Sequence, residues 1–160
     1  MKLNLGCWND IKEGYLNIDL YSEKADLRVD ITKPLPFSNE TVDEIFASHV
    51  VQYFTNDEWL RSLKDWYRVL KFGGILYVQV PDLIKSMHQF LGETDYNKKW
   101  FYWTLPIFSL MNHGDIYLSA KNGFDLSRLK KDIFESGFVI KSSGEFGTNS
   151  IEVRATKEKM

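Results

Sequence analysis

The chain has 160 residues, 44% of them hydrophobic and 26% charged, with a net charge of −2. That length suits one domain around one core, and that composition excludes a disordered chain. A near-neutral balance with no basic run excludes a surface that tracks long nucleic acids, and a single cysteine, Cys7, excludes disulfides and cysteine-built metal or iron–sulfur centres. No apolar run reaches membrane-spanning length, and the first residues do not form a secretory signal. The expected compartment is therefore the cytoplasm, with no membrane attachment and no metal.

Lys2 to Cys7 reads as a short apolar strand that ends at Gly6-Cys7-Trp8. A glycine at the carboxyl end of a strand lets a ligand approach the backbone closely. Tyr15 to Leu20 is a second strand, with Asp19 at its end. An acid there, one strand over from a glycine turn, suits a bidentate hydrogen bond to ribose hydroxyls. Asp26 to Ile31 reads as a third strand closing on Asp30, and the prolines at 34 and 36 make the following stretch a loop. Val42 to Ser48 is a further strand, followed by His49.

The clearest element is a helix carrying Trp59, Leu60, Leu63, Trp66, Tyr67 and Leu70 on one face. Thr55 and Glu58 form a capping-box pattern ahead of it. Lys71 is expected in its last turn, and Gly73-Gly74 as its left-handed stop. Ile75 to Val80 is a nearly unbroken run of β-formers, which predicts a strand covered on both faces. Strand, helix and strand imply a right-handed βαβ unit, so helices are expected to cover a mainly parallel sheet.

Asp82 is the expected N-cap of a helix over Leu83 to Leu91, and the pattern then stays irregular as far as Gly123. That stretch holds an aromatic knot, Trp100 to Trp103, a lysine pair at 98 and 99, and a polar turn with His113. The knot suits either self-packing or a stacking wall for a planar or sugar-like ligand. Asp125 caps a helix with Leu126, Leu129, Ile133 and Phe134 on its inner face, and Gly137 stops it. Phe138 to Ser142 and Ser150 to Thr156 then form an antiparallel hairpin around Gly144 to Asn149.

Five segments stand in order: Leu3-Asn4-Leu5-Gly6-Cys7, Gly14 to Asp19, Asp30 to Phe37, Val42 to His49, and Trp66 to Gly74. Together they resemble the class I S-adenosylmethionine-dependent methyltransferases. The likeness is nearest to the small bacterial predicted methyltransferases associated with sugar and surface-polysaccharide genes. It spans nearly the whole chain. It implies an α/β, Rossmann-like methyltransferase sandwich as a single domain over 1–160, with a mainly parallel sheet and a C-terminal antiparallel hairpin. The irregular insert at about 83–124 would lie on the acceptor side.

The resemblance implies S-adenosylmethionine as cofactor. Its implied contacts are Asn4, Gly6, Cys7, Trp8, Asp19, Leu20, Asp30, Ile31, Ser48 and His49. Asp30 would meet the adenine amino group and Ile31 would pack on the ring. His49 and His113 are the candidate bases for a hydroxyl acceptor, which would be a small molecule or sugar-like. The departures are Trp8 where a second glycine is usual, Phe72 where proline is usual, and Gln52-Tyr53 where a Glu-His pair is common. The connection from Trp8 to Tyr15 is also too short for a crossover helix.

Plainer readings stand beside these. Cys7 suits a small buried residue better than a nucleophile. Asp30 can simply cap a turn. His49 can be a packed strand-end histidine, and His113 a surface one. At the level of the whole chain, one alternative is a degenerate fold whose Trp8 fills the cofactor cleft and which serves as a binding or assembly partner. A nicotinamide oxidoreductase would also explain Gly6 and Asp19, but the chain lacks its spaced glycine fingerprint. A homo-oligomer is a further expectation, from apolar surface left bare at the first strand.

Overall fold

The computed structural model describes residues 1–95 and 120–159. Along the strands, alternate residues point into one core, and cross-strand register keeps them on one face. Leu3, Ile45, Leu76 and Ala155 line up across the sheet, as do Leu5, Ala47, Val78 and Val153, and all eight are buried. The strands are β1 (Lys2–Leu5), β2 (Leu16–Ile18), β3 (Val42–Ser48), β4 (Leu70–Pro81), β5 (Val139–Phe146) and β6 (Ser150–Thr156). Among the described residues they form one sheet in the order β2-β1-β3-β4-β6-β5. The first four are parallel, and β6 runs antiparallel to both β4 and β5.

Helix α1 (Asn56–Val69) starts at the capping box expected from Thr55 and Glu58, with both reciprocal hydrogen bonds made. It buries Trp59, Leu63, Trp66 and Val69 against the sheet. Each such side chain contributes about 1.5–3 kcal/mol by leaving water. Helix α2 (Leu83–Gly92) is capped by Asp82 as expected, and α3 (Leu126–Glu135) by Asp125. Trp59 Nε1 donates to the buried Asp132 Oδ2 at 3.0 Å and locks α1 to α3.

Several expectations need correction. The third strand, Asp26 to Ile31, is only a single bridge from Leu27 to Ile18. The reason is local: Asp26 Oδ2 takes the Asn17 main-chain N–H at 2.8 Å, a donor that a longer ladder would use. Gly73 and Gly74 do not stop α1. The helix ends at Val69, Leu70 is already extended, and β4 begins there. Register jumps from Val42↔Leu70 to Glu44↔Ile75, so residues 71–74 form a bulge in which Gly73 has φ 79°. Lys71 therefore lies in the strand, where it pairs with Asp43 at 2.7 Å, and Arg68 is the cation of the last helical turn. The final hairpin is as expected, but β5 runs through Gly144 to Phe146.

Phe134 is 66% exposed and not on the inner face of α3. Successive residues are turned by about 100° around a helix. Burial of Asp132 against Trp59 swings the inward arc towards residue 132 and leaves Phe134 on the far side.

The largest correction concerns the second face of the sheet. Among the described residues, helices α1 and α3 pack on one face only, the one bearing Leu76 and Val78. The other face carries Lys2, Glu44, Phe46, Ile75, Tyr77, Glu152 and Arg154, all half-buried or exposed. Phe46 and Tyr77 stack at 4.8 Å with planes 3° apart, and Tyr77 donates to Glu152. The β1–β2 connection folds over part of this face, with Lys12 Nζ 4.0 Å from the Phe46 ring centre and Tyr15 donating to Glu44 at 2.8 Å. A cavity of about 390 Å³ opens there, away from the carboxyl ends of the strands. On this face of β1, Lys2 is exposed and Asn4 is buried beneath the β1–β2 connection, and the exposed apolar side chains nearby are Met1, Trp8 and Ile11. No described helix is long and apolar enough to cross a membrane.

Candidate functional site

The carboxyl ends of β1, β2, β3 and β4 meet in one edge, where an open parallel sheet binds ligands. Its floor is a tied turn. After β1 the chain turns at Gly6, with φ 68°, and Gly6 and Cys7 both donate their N–H to Ile18 O, at 2.8 and 3.2 Å. Asp19 follows at the end of β2 and is nearly buried. Its Oδ2 accepts from Trp8 N–H at 2.9 Å, and its Oδ1 from Tyr21 and Ser22 N–H at 2.8 and 2.9 Å. Ser22 Oγ returns a bond to Trp8 O at 2.5 Å. One carboxylate thus joins the turns after β1 and β2. Of its roughly four lone-pair positions, one remains for a ligand.

No crossover helix joins β1 to β2. A polar network replaces it. Asn4, which is buried, donates to Asp10 O at 2.7 Å and to Asn17 Oδ1 at 2.9 Å. Asn17 Oδ1 also accepts from Lys12 N–H at 2.8 Å, and its amide donates to Lys12 O and Tyr15 O, both at 3.2 Å. Asn4 therefore supports the loop from beneath.

The other half of the edge comes from β3 and β4. Ser48 Oγ donates to Gln79 Oε1 at 3.0 Å, and His49 N–H donates to Gln79 O at 2.8 Å. His49 has φ 51°, a left-handed conformation that an ordinary residue adopts rarely and at an energetic cost. Its Nε2 lies 3.4 Å from Ser150 Oγ. His49 is exposed at the edge, yet desolvation by the protein atoms around its ring lowers the imidazole pKa below its ordinary value of 6.5, so the ring is a neutral proton acceptor at neutral pH. Beyond the β1–β3 ladder, the two halves also touch at their turns. A Cβ placed on Gly6 would lie 2.2 Å from Val50 Cγ2, so the residue after His49 packs directly on the glycine turn.

The expected site residues thus divide. Gly6, Cys7, Trp8 and Asp19 are joined by hydrogen bonds around the first turn, and Ser48 and His49 stand across from them. Leu20 is exposed beside Asp19. Cys7 is buried, and burial with the nearby Asp19 charge pushes its thiol up to about 11, so it is inert packing. Trp8 is 54% exposed, so its side chain does not fill the interior of the edge. Asp30 accepts from Thr32 N–H and Oγ1 at 3.0 and 2.6 Å, and the buried Ile31 accepts from Ser62 Oγ of α1 at 3.4 Å. No hydrogen bond among the described residues joins Asp30 to Asp19 or Gly6. His113, the aromatic knot and the lysine pair lie outside the described residues.

Sequence reasoning missed Val50, Gln79 and Ser150, and marked Gln52 only as a departure from the Glu-His pair common in the resembled family. Gln79 left a trace, as the one polar residue in the run Ile75 to Val80. Val50 and Ser150 left none, since their roles depend on strands brought together by the fold.

The topology is that of the class I methyltransferases. Residues 10–78, less than half of the chain, match the profile of a family described as methyltransferase domain. A protein of known structure from Pyrococcus horikoshii superposes with a TM-score of 0.69 at 15% identity, over 98% of this chain and 81% of its own. A SAM-dependent methyltransferase from Methanosarcina mazei gives 0.67 at 17% identity, over 98% of this chain and 92% of its own. The 1,6-didemethyltoxoflavin-N1-methyltransferase of Burkholderia thailandensis, solved with bound 1,6-didemethyltoxoflavin and S-adenosylhomocysteine, gives 0.65 at 11% identity, over 99% of this chain and 71% of its own. At these identities the likeness defines the fold. No curated protein matches the chain in sequence.

Proposed function

We propose that the chain is an S-adenosylmethionine-dependent methyltransferase acting on a small-molecule or sugar-like acceptor. One observation carries this reading: in a methyltransferase fold, the glycine turn after β1 and the acid at the end of β2 are tied together at the carboxyl edge. S-adenosylmethionine is the cofactor and supplies an electrophilic methyl group together with its leaving group. The protein's work is therefore alignment for in-line displacement and exclusion of water.

The donor set fits the group. Asp19 offers its remaining acceptor position to a ribose hydroxyl, with Trp8, Tyr21 and Ser22 N–H fixing the carboxylate. Leu20 and Ile31 supply apolar surface for the adenine, and Asp30 an acceptor for its amino group. Ser48 and His49 border the path of the transferred methyl. For a hydroxyl acceptor, neutral His49 receives the proton at Nε2 once Ser150 Oγ gives way. The neighbour solved with bound 1,6-didemethyltoxoflavin and S-adenosylhomocysteine supports a small-molecule acceptor.

The test is calorimetric titration with S-adenosylmethionine and S-adenosylhomocysteine. Micromolar binding is expected, weakened at least tenfold in Asp19→Ala, with thermal melting as the folding control. Absence of binding to the wild type would remove the proposal. Unchanged affinity in a folded Asp19→Ala would remove the placement of the ribose.

A further inference from the structure

Gln52 occupies the turn between β3 and α1, and its side chain is almost wholly buried. Its Nε2 donates to His49 O at 2.8 Å. Its main-chain oxygen accepts from Lys121 and Asn122 N–H, at 2.8 and 3.1 Å. These two amides belong to the chain as it returns towards Phe124, whose own pairing with Asp82 sets the entry to α2. The residue is thus fixed from one side by its backbone, and it reaches the other way to hold the carbonyl of a strained residue. His49 is gripped at three points: its N–H by Gln79 O, its carbonyl by Gln52, and its neighbour Val50 by Gly6.

We propose that Gln52 is a positioning residue that holds His49 in its left-handed conformation, so that the imidazole stands at the carboxyl edge facing Ser150. The inference rests on the reading of His49 as a group at the methyl-transfer site, and it names a residue that sets its geometry. Left alone, His49 would relax to a negative φ, because the left-handed region is disfavoured for a residue with a Cβ. A peptide rotation there would carry the ring away from Ser150. The compensating interaction has to be a donor aimed at the His49 carbonyl. A glutamine amide supplies that donor, whereas a carboxylate of the same shape has acceptors only and would set oxygen against oxygen. Main-chain anchoring by Lys121 and Asn122 does not depend on the side chain, so the donor can be removed while the turn stays in place.

The experiment is NMR on the whole chain. In the wild type, a through-hydrogen-bond coupling is expected between Gln52 Nε2 and the His49 carbonyl carbon. Its absence would overturn the proposal, whatever any variant does. Gln52→Met keeps length and burial but removes the donor. The expected result is a folded protein in which the His49 backbone shifts leave left-handed values and its ring pKa rises towards 6.5, because the ring leaves the protein atoms that now desolvate it. Gln52→Glu is expected to give the same backbone change at a pH high enough to ionise the buried carboxyl, since only its protonated form can donate. A folded Gln52→Met with His49 backbone shifts and titration unchanged would refute the proposal; assignment uses His49→Asn. Should Gln52→Met unfold, the wild-type coupling decides. Titration with S-adenosylhomocysteine, run on the same samples, reports separately on the methyltransferase reading, since His49 can be held by Gln52 whether or not the cofactor binds.

Discussion

Gly6→Ala tests how the two halves of the edge are fitted together. Its φ of 68° places a new Cβ in the left-handed region, at a cost of about 1–2 kcal/mol. Reduced freedom of the unfolded chain offsets about 0.4–1 kcal/mol of that. The larger cost is steric. The Cβ would meet Val50 Cγ2 at 2.2 Å, Cβ at 2.6 Å and Cγ1 at 3.2 Å. Overpacking of this kind costs about 1–3 kcal/mol. A net loss of about 3 kcal/mol follows, or about 6–12 °C in Tm for a chain of this length. Gly14→Ala is the control: it has φ 78° and no atom within 4 Å of its Cβ, so only the backbone cost remains, about 1 kcal/mol. Val50→Ala in the Gly6→Ala background removes the two methyl contacts but leaves the 2.6 Å one, so rescue should be partial, with a coupling of about 1 kcal/mol. Thermal and urea denaturation of the wild type, Gly6→Ala, Gly14→Ala, Val50→Ala and the Gly6→Ala/Val50→Ala double variant reads this out. Equal losses for Gly6→Ala and Gly14→Ala, or no coupling to Val50, would refute the packing argument.

Three further outcomes are expected. Trp59→Phe loses the buried bond to Asp132, and urea denaturation should show a loss of about 1.5–3 kcal/mol; an unchanged midpoint would mean that α1 and α3 are not joined there. Cys7, with its thiol near 11 against an ordinary 9.0, should react with a disulfide reagent at pH 8 about a hundredfold more slowly than a free thiol, and at the ordinary rate once unfolded; fast labelling of the native protein would place the thiol in water. Asp43, whose pKa is lowered from 3.8 to about 2 chiefly by its hydrogen bond to Lys71, contributes stability that is complete above its unfolded value and lost as pH falls towards 2. Asp43→Asn should therefore flatten the pH dependence of stability in that window. The pair is exposed, so molar salt should have much the same effect, and an unchanged acid limb in the variant would assign it to other carboxylates.

Patterns carried along the chain determined most of the fold. The capping box at Thr55 and Glu58, the stripe of Trp59, Leu63 and Trp66, and the caps at Asp82 and Asp125 act over three or four residues, which is the reach of hydrogen bonds within one helical turn. The strand at β3 and the hairpin between β5 and β6 were legible as runs of β-formers bounded by turn residues. Gly6 and Asp19 were legible as an edge because strand ends in a parallel sheet come together by rule.

Other features were decided in three dimensions. The apolar run in β4 looked covered on both faces, yet its second face meets Phe46, Glu152 and Arg154 and no described helix, because the β1–β2 connection is too short to form one. Gly73 and Gly74 look alike as a helix stop or as a bulge, and only the pairing with β3 and Lys157 chose the bulge. Phe134 turned outward because Asp132 found Trp59, 73 positions away in sequence. At the edge, sequence marked His49, but what holds it is distributed over Gly6, Val50, Gln52, Gln79 and Ser150. No local pattern can encode such a grip, because its members are neighbours only once the strands are side by side.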